Sequence, residues 1–251
     1  MEYRRIADAH CHLHEFSDDE VKDIALLGID VIAVSDDYYS SLRTLTLSER
    51  YSWVIPAVGI HPWSITLDSI NEFNELVELV NKLKHRIKIL GEIGLDKKFK
   101  SETFAYQLQI FKLFIELGEE LKAILNIHAA GAWKEVLDLT MKSDISTAII
   151  HWYTGPIELL KDLESRGFYI SINPAVSIQE KHREVVAKAS LDMMLVESDA
   201  PYRYRGMMLH PRNVYDVMKY IAQIKNLSYE EVYEAVAKNY EKLRNLIGLN
   251  M

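Results

Sequence analysis

His10-Cys11-His12 closes an apolar N-terminal run, Ile6-Ala7-Asp8-Ala9. On an extended strand alternate side chains share one face, so His10 and His12 point the same way. A neutral imidazole nitrogen is a common ligand for zinc and similar divalent metals, and two such rings could hold one ion. The plain alternative is a pair of solvated or core histidines, and an isolated His-x-His does not choose between them. Further ligand-type residues recur at or just past the ends of later apolar runs: His61, Glu92, His128, His151 and Asp199. Six of the nine histidines (10, 12, 14, 61, 128 and 151) fall in such places, which scattered core histidines would not do. The recurrence points to a shared metal site. His85, His182 and His210 stand outside the pattern and read as surface or helix-end residues. Cys11 faces the opposite side of the strand from its neighbours and reads as packing.

The elements that must position these residues alternate along the chain. Short apolar runs cover Ile6–His10, Val31–Ser35, Val54–Gly59, Ile87–Glu92, Ala123–His128, Ala148–His151, Tyr169–Ile172 and Met194–Glu197. Each has the length of a buried strand, and several are rich in Val and Ile, as parallel strands covered on both faces require. Helical spacing marks Leu67–Lys84, through Ile70, Phe73, Leu76, Val80 and Leu83, and Phe104–Leu117. Other helices are expected over Asp18–Leu27, Ala132–Met141, Pro156–Ser165, Ile178–Lys188 and Val214–Lys225. Eight strand–helix units predict a (β/α)8 TIM barrel in one domain spanning 1–251. Ser228 to Ile247 adds a C-terminal helix with a Ser228/Glu231 capping box, expected to pack on the barrel's outside. The rival, an open doubly wound sheet, would show a Gly-rich turn after the first strand, and none is present there. In a barrel all these strand ends meet at one face, where active sites lie.

Composition narrows the function classes. A 49% hydrophobic chain of 251 residues is ordinary globular protein. No apolar run approaches the ~18 residues of a membrane span, and Met1–Arg5 lacks the apolar core of a signal peptide. A lone cysteine permits no internal disulfide framework, and a cytoplasmic location is expected. The net charge of −8 argues against non-specific coating of nucleic acid. It leaves room for an enzyme that meets a few phosphates through metal ions and local basic loops.

Five blocks in register resemble the TatD-type metal-dependent deoxyribonucleases of the amidohydrolase superfamily. They are Asp8-Ala9-His10-Cys11-His12-Leu13, Gly59-Ile60-His61-Pro62, Gly91-Glu92-Ile93-Gly94-Leu95-Asp96, His151-Trp152-Tyr153-Thr154-Gly155 and Glu197-Ser198-Asp199-Ala200-Pro201-Tyr202. Leu227-Ser228-Tyr229-Glu230-Glu231-Val232, followed by Asn239, resembles the family's last helix. The resemblance implies a (β/α)8 barrel with two divalent ions. It implies that His10, His12, Glu92 and Asp199 hold one ion, and that Glu92, His128 and His151 hold the other, with Glu92 bridging. The mixed imidazole and carboxylate donors suit zinc, manganese or nickel, and magnesium less well. Three departures stand out: His14 where the family has Asp, Ala130 where it has Arg, and Met208-Leu209 in place of an Arg-Asn pair before Pro211.

The resemblance implies a phosphodiesterase cleaving DNA, single-stranded or at ends, with Asp199 as general base and Glu92 essential. Hydrolysis of a small amide, ester or lactone at the same site is the alternative, and Ala130 leans toward it. A non-catalytic metal-binding interaction protein is a third reading, opposed by the intact ligand set. His61 is read either as orienting the substrate or a group that supports the metal ligands, or as a hydrogen-bonded loop residue, and Tyr202 as a substrate contact or as packing. Two basic loops are candidates for phosphate: Lys97 and Lys98 after strand four, and Arg203 and Arg205, with Arg212 nearby, after strand eight. Tyr202 and Tyr204 could add base stacking. Solvated charged loops are the plain alternative.

Overall fold

A computed structural model describes residues 4–248. Met1–Tyr3, part of the segment read for a signal peptide, lie outside the described residues, as do the last three residues of the 1–251 domain. Eight parallel strands run in sequence order around one sheet. They are β1 (Ala7–Cys11), β2 (Asp30–Ala33), β3 (Val54–Val58), β4 (Ile89–Gly94), β5 (Ile124–His128), β6 (Ala148–Ile150), β7 (Tyr169–Ile172) and β8 (Met194–Val196). Cys11 bridges in parallel to Ala200, just past β8, and brings the ring back on itself. The (β/α)8 barrel expected from the sequence is the architecture found. Among the described residues no helix is long and apolar enough to cross a membrane.

Helices follow the strands: α1 (Asp18–Ala25), α2 (Tyr38–Arg50), α3 (Ser69–Leu83), α4 (Phe104–Leu121), α5 (Trp133–Lys142), α6 (Leu160–Ser165), α7 (Glu180–Lys188), α8 (Val214–Lys225) and α9 (Tyr229–Leu246). Periodicity does not reveal α2, because its buried face carries Ser40, Ser41 and Thr44 beside Leu45 and Leu47. The polar members find partners there: the Thr44 hydroxyl accepts from Ser35 at 3.1 Å. A short hairpin, β9 (Arg203–Tyr204) with β10 (Met207–Met208), is a further addition beyond the expected elements.

Two apolar layers divide the work. One lies between barrel and helices and holds Cys11, Val31, Leu90, Leu125 and Val196, so Cys11 does pack outward. The other collects Ala7 and Ala9 of β1 with Ile32, Ile55, Ile89, Ile124, Ile149, Tyr169 and Leu195, contributors from every strand, and is the barrel interior. Tyr240, Leu243 and Ile247 join that inner layer. The C-terminal helix therefore does more than pack on the outside. Tyr240 donates to the Asp30 carboxylate at 2.6 Å where β2 begins, and Asn239 donates to Met194 O at 2.9 Å where β8 begins. It closes the barrel end opposite the site. The expected capping box is present, with Ser228 N donating to Glu231 Oε2 at 2.8 Å.

Strand alternation sets which residues rise from the inner layer. On β5, Ile124 leads to Asn126 and His128; Ile149 on β6 leads to His151, and Leu195 on β8 to Glu197. Plain alternation fails for β1 and β4. Ala9 and His10, or Ile89 and Glu92, have opposite parity, yet both members of each pair face inward. Each strand shows a register shift there, between Asp8 and Cys11 and between Leu90 and Ile93. Such bulges re-aim a side chain, and here they aim His10 and Glu92 into the barrel mouth. Gly94 completes the fit at φ 144°, where a Cβ would collide with the His128 carbonyl oxygen.

His182 corrects an expectation. It lies in the first turn of α7, at a helix end as expected, but is fully buried there, not at the surface, on the same helix face as Val185 and Val186. Neither ring nitrogen has a hydrogen-bond partner, and burial pushes the imidazole down to about 3. A folded pKa below the unfolded one means the unfolded chain takes the proton first. The stability contributed by neutral His182 is thus complete above about pH 6.5 and is lost as pH falls toward 3. Between pH 7 and pH 5 the loss is about 2 kcal/mol. His182→Leu should remove that part of the acid sensitivity in urea unfolding at the two pH values. Equal pH dependence in variant and wild type would clear His182 of the role.

Candidate metal centre

Glu92 is the hub of the barrel mouth, 1% exposed. Its two oxygens face different sets of imidazoles. Oε2 lies 3.1 Å from His10 Nε2 and 3.3 Å from His12 Nε2. Oε1 lies 2.8 Å from His128 Nδ1, 3.1 Å from His151 Nε2 and 3.3 Å from His61 Nε2. Asp199 Oδ1 completes the first set at 3.6 Å from both His10 Nε2 and His12 Nε2.

Tautomers follow from the outer nitrogens. Asn126 donates through Nδ2 to Ala9 O at 2.9 Å, which orients its Oδ1 toward His10 Nδ1 at 2.8 Å. His10 therefore carries its proton on Nδ1 and turns the Nε2 lone pair to Glu92. His10 Nε2 and Glu92 Oε2 are both buried without a hydrogen-bond partner although they lie 3.1 Å apart. Two lone pairs converging in a buried place are what a shared cation would resolve. Donors on a tetrahedral ion with ~2.1 Å bonds sit about 3.4 Å apart, a spacing close to those found here. The residues present thus fit a divalent ion, and clusters His10, His12, Glu92 and His61, Glu92, His128 each bring ligand atoms within 4.8 Å of one another.

Carboxylates stand close to the outer side of the imidazoles, where metal-ligating histidines commonly find acceptors. Asp36 Oδ1 stands 2.9 Å from His12 Nδ1, and its Oδ2 stands 3.2 Å from His14 Nε2. Asp96 Oδ2 lies 3.2 Å from His128 Nε2 and accepts from Trp63 Nε1 at 2.6 Å. Glu197 Oε1 lies 3.6 Å from His151 Nδ1 and accepts from Trp152 N at 3.0 Å, while Ser171 donates to its other oxygen. Beneath them, Asp8 Oδ1 accepts from Ser198 N at 2.8 Å and from His10 N at 3.2 Å, tying β1 to the segment after β8.

Electrostatics follows the geometry. Burial alone would raise Glu92, but the facing His61, His10 and His151 outweigh it and hold the carboxyl well below its usual range. Burial would likewise lower His12; the carboxylates of Asp36, Asp199 and Glu92 reverse this and raise it. Asp96 resists burial through bonds from His128, Trp63 and the Phe99 N–H, which bring it to about 2. At Asp8 burial outweighs the bonds from Ser198 and the His10 N–H and pushes the carboxyl up to about 8. His61 differs from the other rings. Its Nδ1 accepts from Trp63 N at 3.1 Å, which leaves the proton on Nε2 to donate to Glu92 Oε1. That nitrogen stands 3.3 Å from the hub oxygen, and burial lowers the pKa of the ring.

The mouth opens into a pocket of about 760 Å³ lined by His12, His61, Glu92, His128, His151 and Asp199, with Trp63, Phe99, Trp152, Tyr202 and Tyr204 farther out. A family model for TatD related DNase matches residues 7–245. The chain belongs to the TatD-related DNase family. It is 32% identical to an uncharacterized metal-dependent hydrolase of Methanocaldococcus jannaschii, over 94% of this chain and 95% of that protein. The human deoxyribonuclease TATDN3 is 26% identical, over 96% and 97%. Among solved structures, a TatD homolog from Escherichia coli superposes with a TM-score of 0.87 at 22% identity, covering 96% of this chain and 98% of that one, a likeness of fold. The chain is accordingly a TatD-family metal-dependent hydrolase of amidohydrolase fold.

Within this TatD barrel the residues expected from sequence separate into groups. His10, His12, Glu92, His128, His151, Asp199 and His61 converge as described. Tyr202 lines the pocket, 42% exposed. Lys98 lines it too, but Lys97 is ion-paired with Glu135 and stacks over Phe104 at 4.7 Å. Arg203 and Arg205 are exposed outside the lining, and Arg205 leans over Tyr204 at 5.5 Å. His14 at the family's Asp position stands 3.2 Å from Asp36, and Ala130 at the Arg position lines the pocket. His210 caps a turn, its Nδ1 accepting from Arg212 N at 3.2 Å. Asp36, Asp96, Asn126 and Glu197 join the site without being expected there from sequence, although each stands in or just past an apolar run. If the pocket takes an anionic substrate, Lys98→Ala should raise KM about threefold and flatten its salt dependence, while Lys97→Ala leaves both nearly unchanged. Equal effects from the two variants would show that the pocket lysine has no special part.

Proposed function

We propose that this TatD hydrolase cleaves DNA phosphodiester bonds with two divalent ions bridged by Glu92. The observation that carries the reading is the split of Glu92, with Oε2 toward His10 and His12 and Oε1 toward His128 and His151. A bridging carboxylate needs one oxygen for each ion. His10, His12, Glu92 and Asp199 would hold one ion, and Glu92, His128 and His151 the other. Bound ions would supply Lewis acidity, acidifying the attacking water and offsetting charge on phosphate. Asn126, Asp36, Asp96 and Glu197 keep the imidazoles in register. Asp199, on the pocket wall, takes the proton from the water as general base. His61 steadies the hub through its Nε2–H. Lys98 draws the phosphate in, and the aromatic rim suits single strands or frayed ends better than a duplex.

The relative named a deoxyribonuclease supports the substrate class, and the net charge of −8 is consistent with local rather than global attraction for phosphate. A second reading, hydrolysis of a small amide, ester or lactone, draws on Ala130 in the pocket wall. The test is one panel: metal-loaded protein with a single-stranded oligonucleotide, a nitrophenyl phosphodiester and a series of lactones. Hydrolysis of the phosphodiesters is expected. Turnover of lactones alone would overturn the nuclease reading.

A further inference from the structure

One wall of the pocket is built from residues with no part in the hydrolytic step itself. Trp152 follows His151 in a left-handed conformation, φ 43°. Its indole Nε1–H donates to Gln179 Oε1 at 3.0 Å, and the Gln179 amide donates in turn to the Tyr204 hydroxyl at 3.0 Å. Tyr204 meets the indole nearly perpendicular, at 80°, with ring centres 5.0 Å apart. Tyr202 approaches it at 6.3 Å. A single amide thus locks the segment after β6, the start of α7 and the β9–β10 hairpin into one frame. All four side chains line the same pocket as His151 and Asp199. On the β3 and β4 side, Trp63 and Phe99 form a second aromatic pair 6.0 Å apart beside Lys98, while Lys181 of α7 lines the pocket from the Gln179 side.

The chemistry of this wall is narrow. Both N–H groups of Trp152 are already spent, on Glu197 and on Gln179, so the residue has no N–H left to donate to a ligand. What remains is a half-buried indole in the pocket wall next to His151, fixed by two bonds and an awkward backbone. A fixed π surface next to a site for phosphate selects a flat ring carried on a phosphate ester, which is what the base of a nucleotide is. Base–aromatic stacking tolerates any base because each has a π face.

We propose that Trp152 is the stacking platform for the nucleobase next to the scissile phosphate, and that Gln179 is the positioning residue that sets its ring angle. This rests on the phosphodiesterase reading above. The test compares a three-nucleotide oligothymidylate with its abasic counterpart, on metal-loaded wild type, Trp152→Ala, Trp152→Phe and Gln179→Leu. Equilibrium binding of the same labelled oligomers is measured with the metal chelated, so that it does not depend on turnover.

Wild type should bind the base-bearing oligomer about tenfold more tightly than the abasic one, the size of one stacked base. Trp152→Ala should erase that preference and raise KM only for the base-bearing substrate, with kcat little changed. Trp152→Phe should keep most of the preference. Gln179→Leu should lose about half of it on a logarithmic scale while metal content stays at the wild-type level. Equal loss on both oligomers would mean general damage and would overturn the platform, as would a wild type blind to the base. Base-dependent binding without hydrolysis of either oligomer would sustain the platform and sink the phosphodiesterase reading instead.

Discussion

Asp199→Asn should lose turnover by roughly 10²- to 10⁴-fold, the usual contribution of a general base, while KM moves little. An amide cannot take the proton in the transition state, yet it keeps an oxygen to face His10 and His12. The backbone also favours this substitution as a clean probe. Asp199 sits at φ 56°, in the left-handed region, and Asn tolerates that conformation as well as Asp does. Ala in its place would mix backbone strain with lost chemistry. Steady-state kinetics on a phosphodiester, with metal content measured on the same sample, checks the outcome. Turnover within a few-fold of wild type would remove Asp199 from the base role.

Glu92→Gln should have the larger effect on metal. A neutral amide has one oxygen, where the proposed bridge needs two anionic donors. The variant is expected to retain at most one ion and to lose at least about 10³-fold in kcat/KM, because both Lewis acidity and proton transfer suffer. The imidazoles should respond as well. His12, His128 and His151 are all raised in part by Glu92, so their titrations in the metal-free variant should move down. Histidine NMR signals followed against pH would register this without any activity measurement. Unmoved titrations alongside full metal content would contradict the hub role.

The barrel is legible in the sequence because its strands are uninterrupted apolar runs, such as Ala148–Ile150 of β6, bounded by polar helices. The convergence of His10, His12, Glu92, His128, His151 and Asp199 is legible from their strand-end positions once the strands close into a ring. The route by which two of them arrive is not. His10 and Glu92 reach the interior through bulges, and a bulge depends on the partner strand's register. The α2 helix hides behind buried hydroxyls, one of which is met by Ser35 just past β2. Asn126 is readable in principle: a lone amide inside Ile124-Leu125-Asn126-Ile127 must find a buried partner, and its partner is His10. His182 is readable as well, since its i+3 and i+4 neighbours are Val185 and Val186, and here the helical spacing outweighs the polar residue type. The basic loops mislead in another way. Charge marks Lys97, Arg203 and Arg205, but only geometry separates Lys98 on the pocket wall from Lys97 beside Glu135.

The proposed chemistry stands or falls on one carboxylate joining two cation sites at the barrel mouth. Elemental analysis of the fully reconstituted wild-type protein, after removal of loosely bound metal, addresses it directly. Two divalent ions per chain are expected in wild type and no more than one in Glu92→Gln. A wild-type value of one ion or none, in protein that still turns over a phosphodiester, would contradict the bridged pair.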